Sequence, residues 1–162
     1  MQRSILWVVV SAPMLTACMV AQGPGFSEAA PPAGDKALVY FYWPRAFASA
    51  ARTADIYVDG KQVASINAGG YAYAYVSPEH HEFYQKWAFN PLLGNLVEDL
   101  LAPKSVGFYA DLHPGETRYV RFMTGVGAPT APNSVTLTWG LHEVTPDEGR
   151  SEIATERYQK PD

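Results

Sequence analysis

The sequence predicts an all-β domain with minor helix: an antiparallel β-sandwich of about eight strands, with one inserted amphipathic helix and a short C-terminal helix. Three observations predict it. Asp59-Gly60 sits between two short apolar-polar alternations, 53–58 and 61–66, which is the strongest short-range hairpin signal, because a type I′ turn needs φ > 0 at both central positions. Aromatics make up 13% of the chain and include 10 Tyr, which favours strands, while 13 Gly and 13 Pro supply many turns. Segments of period two recur between turn residues at even spacing, the pattern of a sandwich, with a small β-barrel as the alternative closure.

Residues 1–17 have the layout of a secretory leader. Arg3 gives a positive start, and the apolar run from Ile5 to about Leu15 is too short for a bilayer span, which needs roughly 20 residues. Leu15-Thr16-Ala17-Cys18 follows and resembles the lipobox of bacterial lipoproteins. That resemblance implies cleavage before Cys18 and a diacylglyceryl group on its thiol. Met19, rather than Asp, follows the cysteine, as in lipoproteins sent on to the outer membrane. With 1 Cys no intramolecular disulfide can form. Residues 18–35 are rich in Pro, Gly and Ala, carry no apolar period and read as a flexible tether with a reach of roughly 20–25 Å. The alternative is that Phe26 docks on the domain, which spans 36–162.

Within the domain, Ala37–Trp43 is a continuous apolar run ended by Pro44, the signature of a central strand buried on both faces. A loop of small residues, 46–52, leads to the hairpin, where Ala54, Ile56 and Val58 share one face. Gly69-Gly70 marks a turn, after which Tyr71, Tyr73 and Tyr75 alternate with Ala72, Ala74 and Val76. In His80–Trp87, alternation sets His81, Phe83 and Trp87 against His80, Glu82, Tyr84 and Lys86. Asn90 as cap, Pro91, and leucines and Val97 at helical spacing predict a helix over 90–101, ended by Pro103. Strands follow over 106–112, 117–124 and 134–144, separated by the turn at His113-Pro114-Gly115-Glu116 and the loop 125–133. Thr145, Pro146 and Glu148 form a capping box that opens a helix to about Arg157.

The order of these features is similar to a family of bacterial lipoproteins, domain of unknown function 2846. The likeness rests on Lys36-Ala-Leu-Val-Tyr-Phe-Tyr42, Tyr57-Val-Asp-Gly-Lys-Gln-Val63, the Gly-Gly-Tyr turn, the start of the His strand at Pro78, Pro114-Gly-Glu-Thr-Arg-Tyr-Val-Arg121 and Glu143-Val-Thr-Pro-Asp-Glu-Gly149. Pro78-Glu79-His80-His81 departs from the family's Pro-Gly at that point. The resemblance implies a lipid-anchored β-sandwich and no established reaction.

Chemistry-bearing residues are few. His80, His81, His113 and His142, with Glu79, Glu82 and Asp111, raise the question of a metal site, but neighbours in a strand point to opposite faces and no H-E-x-x-H occurs. Asp55 and Asp59 are explained by a solvated face and a turn. There is no nucleophile elbow or phosphate loop. A net charge of −4 disfavours nucleic acid. The tyrosine row 71/73/75, extended by Tyr57 and Tyr40, reads as cross-strand packing, with an exposed row for sugars or a partner protein as the alternative. The helix over 90–101 reads as a cover for one end of the sandwich, with partner docking or membrane contact as alternatives.

The expected function is therefore non-enzymatic. The chain reads as a lipoprotein held by lipid at Cys18 in the bacterial envelope, at the outer membrane and facing the periplasm, acting as a binding or structural module. It would contact an envelope protein or glycan, with no cofactor, metal or catalytic residue. Two alternatives stand beside it: a metal-dependent or hydrolytic envelope enzyme using the histidines, and a secretion-accessory or inhibitor lipoprotein.

Overall fold

The computed structural model describes residues 21–45, 52–88, 106–129, 131 and 136–160. The expected leader, Cys18, the helix expected over 90–101 and most of the loop 46–52 lie outside them. The described strands are β1 (Ala37–Trp43), β2 (Ala54–Val58), β3 (Lys61–Ile66), β4 (Gly70–Val76), β5 (His80–Trp87), β6 (Val106–Asp111), β7 (Thr117–Gly127) and β8 (Thr136–Val144). Helix α1 (Pro146–Ile153) and a two-residue strand β9 (Arg157–Tyr158) close the chain. A five-stranded sheet, ordered β8-β7-β1-β4-β9, faces a four-stranded sheet, ordered β3-β2-β5-β6. The two sheets do not close into a barrel.

The Asp59-Gly60 turn behaves as its sequence demands: φ is 48° at Asp59 and 82° at Gly60, so both central residues take the left-handed conformation of a type I′ turn. Gly69, with φ 79°, carries the chain from the four-stranded sheet to the five-stranded one. β1 is buried along its whole length, as a two-sided central strand should be. Its inward residues Val39, Phe41 and Trp43 meet Ile56, Ile66, Phe83 and Phe122 in the space between the sheets. Trp43, Trp87, Trp139 and Phe122 form linked edge-to-face or tilted pairs at one end of that core.

Four features differ from the sequence reading. The sheets are not antiparallel throughout: β1 pairs with β7 in parallel, and β4 with β9. The long excursion through the second sheet between β1 and β7 supplies the crossover that a parallel pair needs. β7 runs on to Gly127 because its ladder with β8 continues to the pair Gly127–Thr136. α1 stops at Ile153 rather than near Arg157, because the chain turns at Ala154 and Thr155 and, after Glu156, Arg157 and Tyr158 join the edge of β4.

The fourth difference concerns residues 21–35, read as part of a tether. They lie against the outer face of the five-stranded sheet and form a strap. The Ala21 amide bonds the Ala68 carbonyl at 3.4 Å, and Tyr158 donates its amide to Pro24 at 2.8 Å. Phe26 docks, with its ring centroid 5.3 Å from that of Tyr71 and 5.9 Å from that of Tyr40. The strap rises from the turn at Ala68 and passes over Tyr71 and Tyr40, so the tyrosine hydroxyls give a polar partner to a segment that lacks an apolar period.

Candidate functional site

The histidines separate as strand geometry requires. His80 points outward, pairs with Asp111 at 2.8 Å and stacks on Tyr109, whose hydroxyl donates to Glu82 at 3.2 Å. His81 points inward, with its side chain only 4% exposed. Its Nδ1 lies 2.5 Å from Asp59 Oδ2 and its Nε2 lies 2.8 Å from the Ser77 carbonyl oxygen. A carboxylate and a carbonyl both accept, so both ring nitrogens can be satisfied only when both donate, and the site favours the imidazolium form. Burial works to lower its pKa, but the bonds to Asp59 and Ser77 outweigh burial and raise it. Asp59 is held below its ordinary value by the Glu82 amide, which donates at 2.9 Å, and then by His81. The pair clamps the β2–β3 turn onto β5. His113 stands exposed in the next turn, 3.4 Å from Glu116. Among the described residues no group of three or more His, Cys, Asp or Glu converges as a metal site.

The tyrosine row is split between environments. Tyr71 is buried, Tyr73 half-buried and Tyr75 exposed. Tyr40 extends the row, opposite Tyr73 with ring centroids 5.9 Å apart. Tyr57 does not: β2 belongs to the other sheet, where Tyr57 stacks flat on Tyr84 at 5.0 Å. The hydroxyls of Tyr40 and Tyr71 accept the amides of Ala29 at 2.8 Å and Ser27 at 3.1 Å, and Tyr75 donates to the Ala30 carbonyl at 2.7 Å. Most of the row is thus occupied by the strap.

A cleft of about 230 Å³ opens where β1 ends, lined among others by Trp43, Arg45, Arg121, Met123 and Glu152. Arg121 reaches Glu148 and Glu152 on α1, both at 2.7 Å, and Glu152 also accepts from the Tyr42 hydroxyl at 2.6 Å. Burial, and then that bond to Glu152, push the Tyr42 phenol far above its usual range. Trp43 Nε1 and Arg121 Nε are buried with no hydrogen-bond partner. Nearby Glu156 is 3% exposed, and burial raises its pKa.

Sequence reading missed this network. Glu148 was expected to complete a capping box; its amide does donate to Thr145 Oγ1 at 3.3 Å, but its carboxylate goes to Arg121. It also passed over Gln85, which faces inward between Phe83 and Trp87, is 1% exposed and has neither amide atom bonded. Period-two alternation alone assigns Gln85 to that face.

A two-sheet body covered on one outer face by its own N-terminal strap and C-terminal helix defines the class: a β-sandwich with an occupied outer face. The chain belongs to the DUF2846 family, described as proteins of unknown function, which it matches over residues 33–133, more than half its length. No match was found among curated proteins or solved structures.

Proposed function

We propose that this chain is a non-enzymatic lipoprotein of the bacterial envelope, anchored by lipid on Cys18, whose sandwich serves as a binding or structural module facing the periplasm. The observation that carries the reading is Leu15-Thr16-Ala17-Cys18 at the end of a short apolar leader, which resembles a lipobox. Ala21, three residues after the cysteine, is 5% exposed and bonded to the β3–β4 turn. Two or more acyl chains hold such a protein stably, at ~0.8 kcal/mol per buried CH₂. Met19 favours the outer membrane. His81, the one buried histidine among the described residues, already has both nitrogens bonded, which disfavours the enzyme alternative.

Metabolic labelling tests the anchor. Wild-type protein should take up palmitate and fractionate with membranes, and Cys18→Ser should do neither. Label retained by Cys18→Ser would refute the assignment.

A further inference from the structure

Two lengths at one end of the sandwich bear on how an anchored body would sit. The first is the leash. Only Met19 and Val20 lie between Cys18 and Ala21, so their Cα atoms, three steps apart, cannot be more than roughly 11 Å apart. Ala21 itself is pinned at the level where β1 ends, since it bonds Ala68 and the next residue of that turn, Gly69, donates its amide to the Trp43 carbonyl at 2.8 Å.

The second length is the β7–β8 hairpin. β1 runs parallel to β7 only as far as the pair Tyr42–Arg121 and ends one residue later, while β4 starts opposite Trp43. β7 and β8 stay paired well past that level, to Gly127–Thr136. Residues 123–127 therefore project beyond the end of their sheet neighbours by five residues, roughly 16 Å at strand spacing. The projection is longer than the leash.

Its composition suits a lipid interface. Residues 122–142 contain no Asp, Glu, Lys or Arg, in a chain that is 17% charged. Met123 is 43% exposed and Val126 is 67% exposed. Exposed Arg45 lines the cleft beside Met123. An uncharged, partly apolar tip with an arginine behind it matches the order of groups from acyl boundary to headgroup.

We propose that the β7–β8 hairpin is a membrane-contacting element that rests among lipid headgroups and sets the sandwich directly on the bilayer. The proposal rests on the lipid anchor at Cys18. The bilayer is its partner because the short leash leaves this end no room to stand clear.

The test uses the full-length lipidated protein, in which acylation blocks the Cys18 thiol, so that an introduced cysteine takes a fluorophore alone. Val126→Cys is compared with Lys61→Cys at the opposite end, with Ala128→Cys as a second tip position. The protein is placed in phosphatidylethanolamine–phosphatidylglycerol vesicles that carry a headgroup nitroxide. Quenching at both tip positions should exceed that at Lys61 several-fold. Equal quenching at the two ends overturns the proposal. So does a tip label already shielded without vesicles in a concentration-dependent way, which would assign the tip to a second copy. Should the wild type take up no palmitate, the anchor falls as well. Palmitate uptake with equal quenching removes this inference alone.

Discussion

The two faces of β1 are buried by different means. Inward, Val39, Phe41 and Trp43 meet aliphatic and aromatic side chains of both sheets, and the contact is almost wholly apolar. Outward, Leu38, Tyr40 and Tyr42 are covered by the strap and by α1, from opposite ends of the chain. That contact is tied by phenol hydroxyls: Tyr40 to the Ala29 amide and Tyr42 to Glu152. The inner face is made by strands that must assemble for any fold to exist. The outer face is covered by the strap and α1, neither of which is a strand of either sheet. Burial fraction alone does not separate the two, since both faces are closed to water. Their local stabilities should differ.

The largest effect should come from the inner face. Phe41→Ala removes a ring that is 0% exposed and should cost about 3–5 kcal/mol. The loss should appear as a lower urea midpoint for the whole domain. Next is the seat of the helix. A Cβ at Gly149 would come within 2.4 Å of Tyr119 Cβ and Cγ, so Gly149→Val should cost about 1–3 kcal/mol through overpacking and push α1 off the sheet. Near-ultraviolet circular dichroism of the tyrosines should change while the strand signal holds. Smaller again is Phe26→Ala, at about 1–2 kcal/mol for a half-buried ring. Amide exchange should quicken at Ser27 and Ala29 and stay slow in β2 and β5. If exchange instead quickened evenly across both sheets, the strap would belong to the cooperative core and the contrast between the faces would be lost.

The inner face was the legible one. Unbroken apolar sequence at 37–43 gives a strand buried on both sides, and Asp59-Gly60 gives its own turn, because each signal is local. Of the outer cover, α1 announces itself through Thr145-Pro146 and Glu148, whereas the strap reads chiefly as a tether, with Phe26 docking as the alternative, because its signals are not local. Residues 21–35 show no period, and what holds them is a set of hydroxyls projected by strands far along the chain. Strand alternation marks those tyrosines as one face without saying what lies on it. The parallel pairing of β1 with β7 depends on which end of the sandwich the chain returns to, and no residue of either strand records that. Among site residues, alternation placed His80 and His81 on opposite faces correctly. The partner of His81 could not be read, because Asp59 is 22 residues away and meets it only through the register of β2 and β5.

The smallest effect is a dependence on pH, and it too separates the faces. His81 belongs to the inner layer, and its folded pKa is raised. Its contribution is fully present below the unfolded value of about 6.5 and is lost as pH rises through the folded one. Asp59 is lowered, so its contribution is present above about 3.9 and is lost as pH falls through its folded value. The clamp is therefore strongest between about pH 4 and 6.5. Because the Asp59 side chain is 52% exposed, the change across pH 5–8 should stay under about 1 kcal/mol. Glu156, near the outer cover, runs the other way for an acid: burial raises its pKa, so its contribution is present below about 4.3 and is lost as pH rises. Urea midpoints measured from pH 4 to 8 should thus fall toward alkaline pH. His81→Gln should remove the part of that fall that sets in above about pH 6.5, and Glu156→Gln the part that sets in above about pH 4.3. A fall above about pH 6.5 that survives His81→Gln would mean that the imidazolium does not hold the turn.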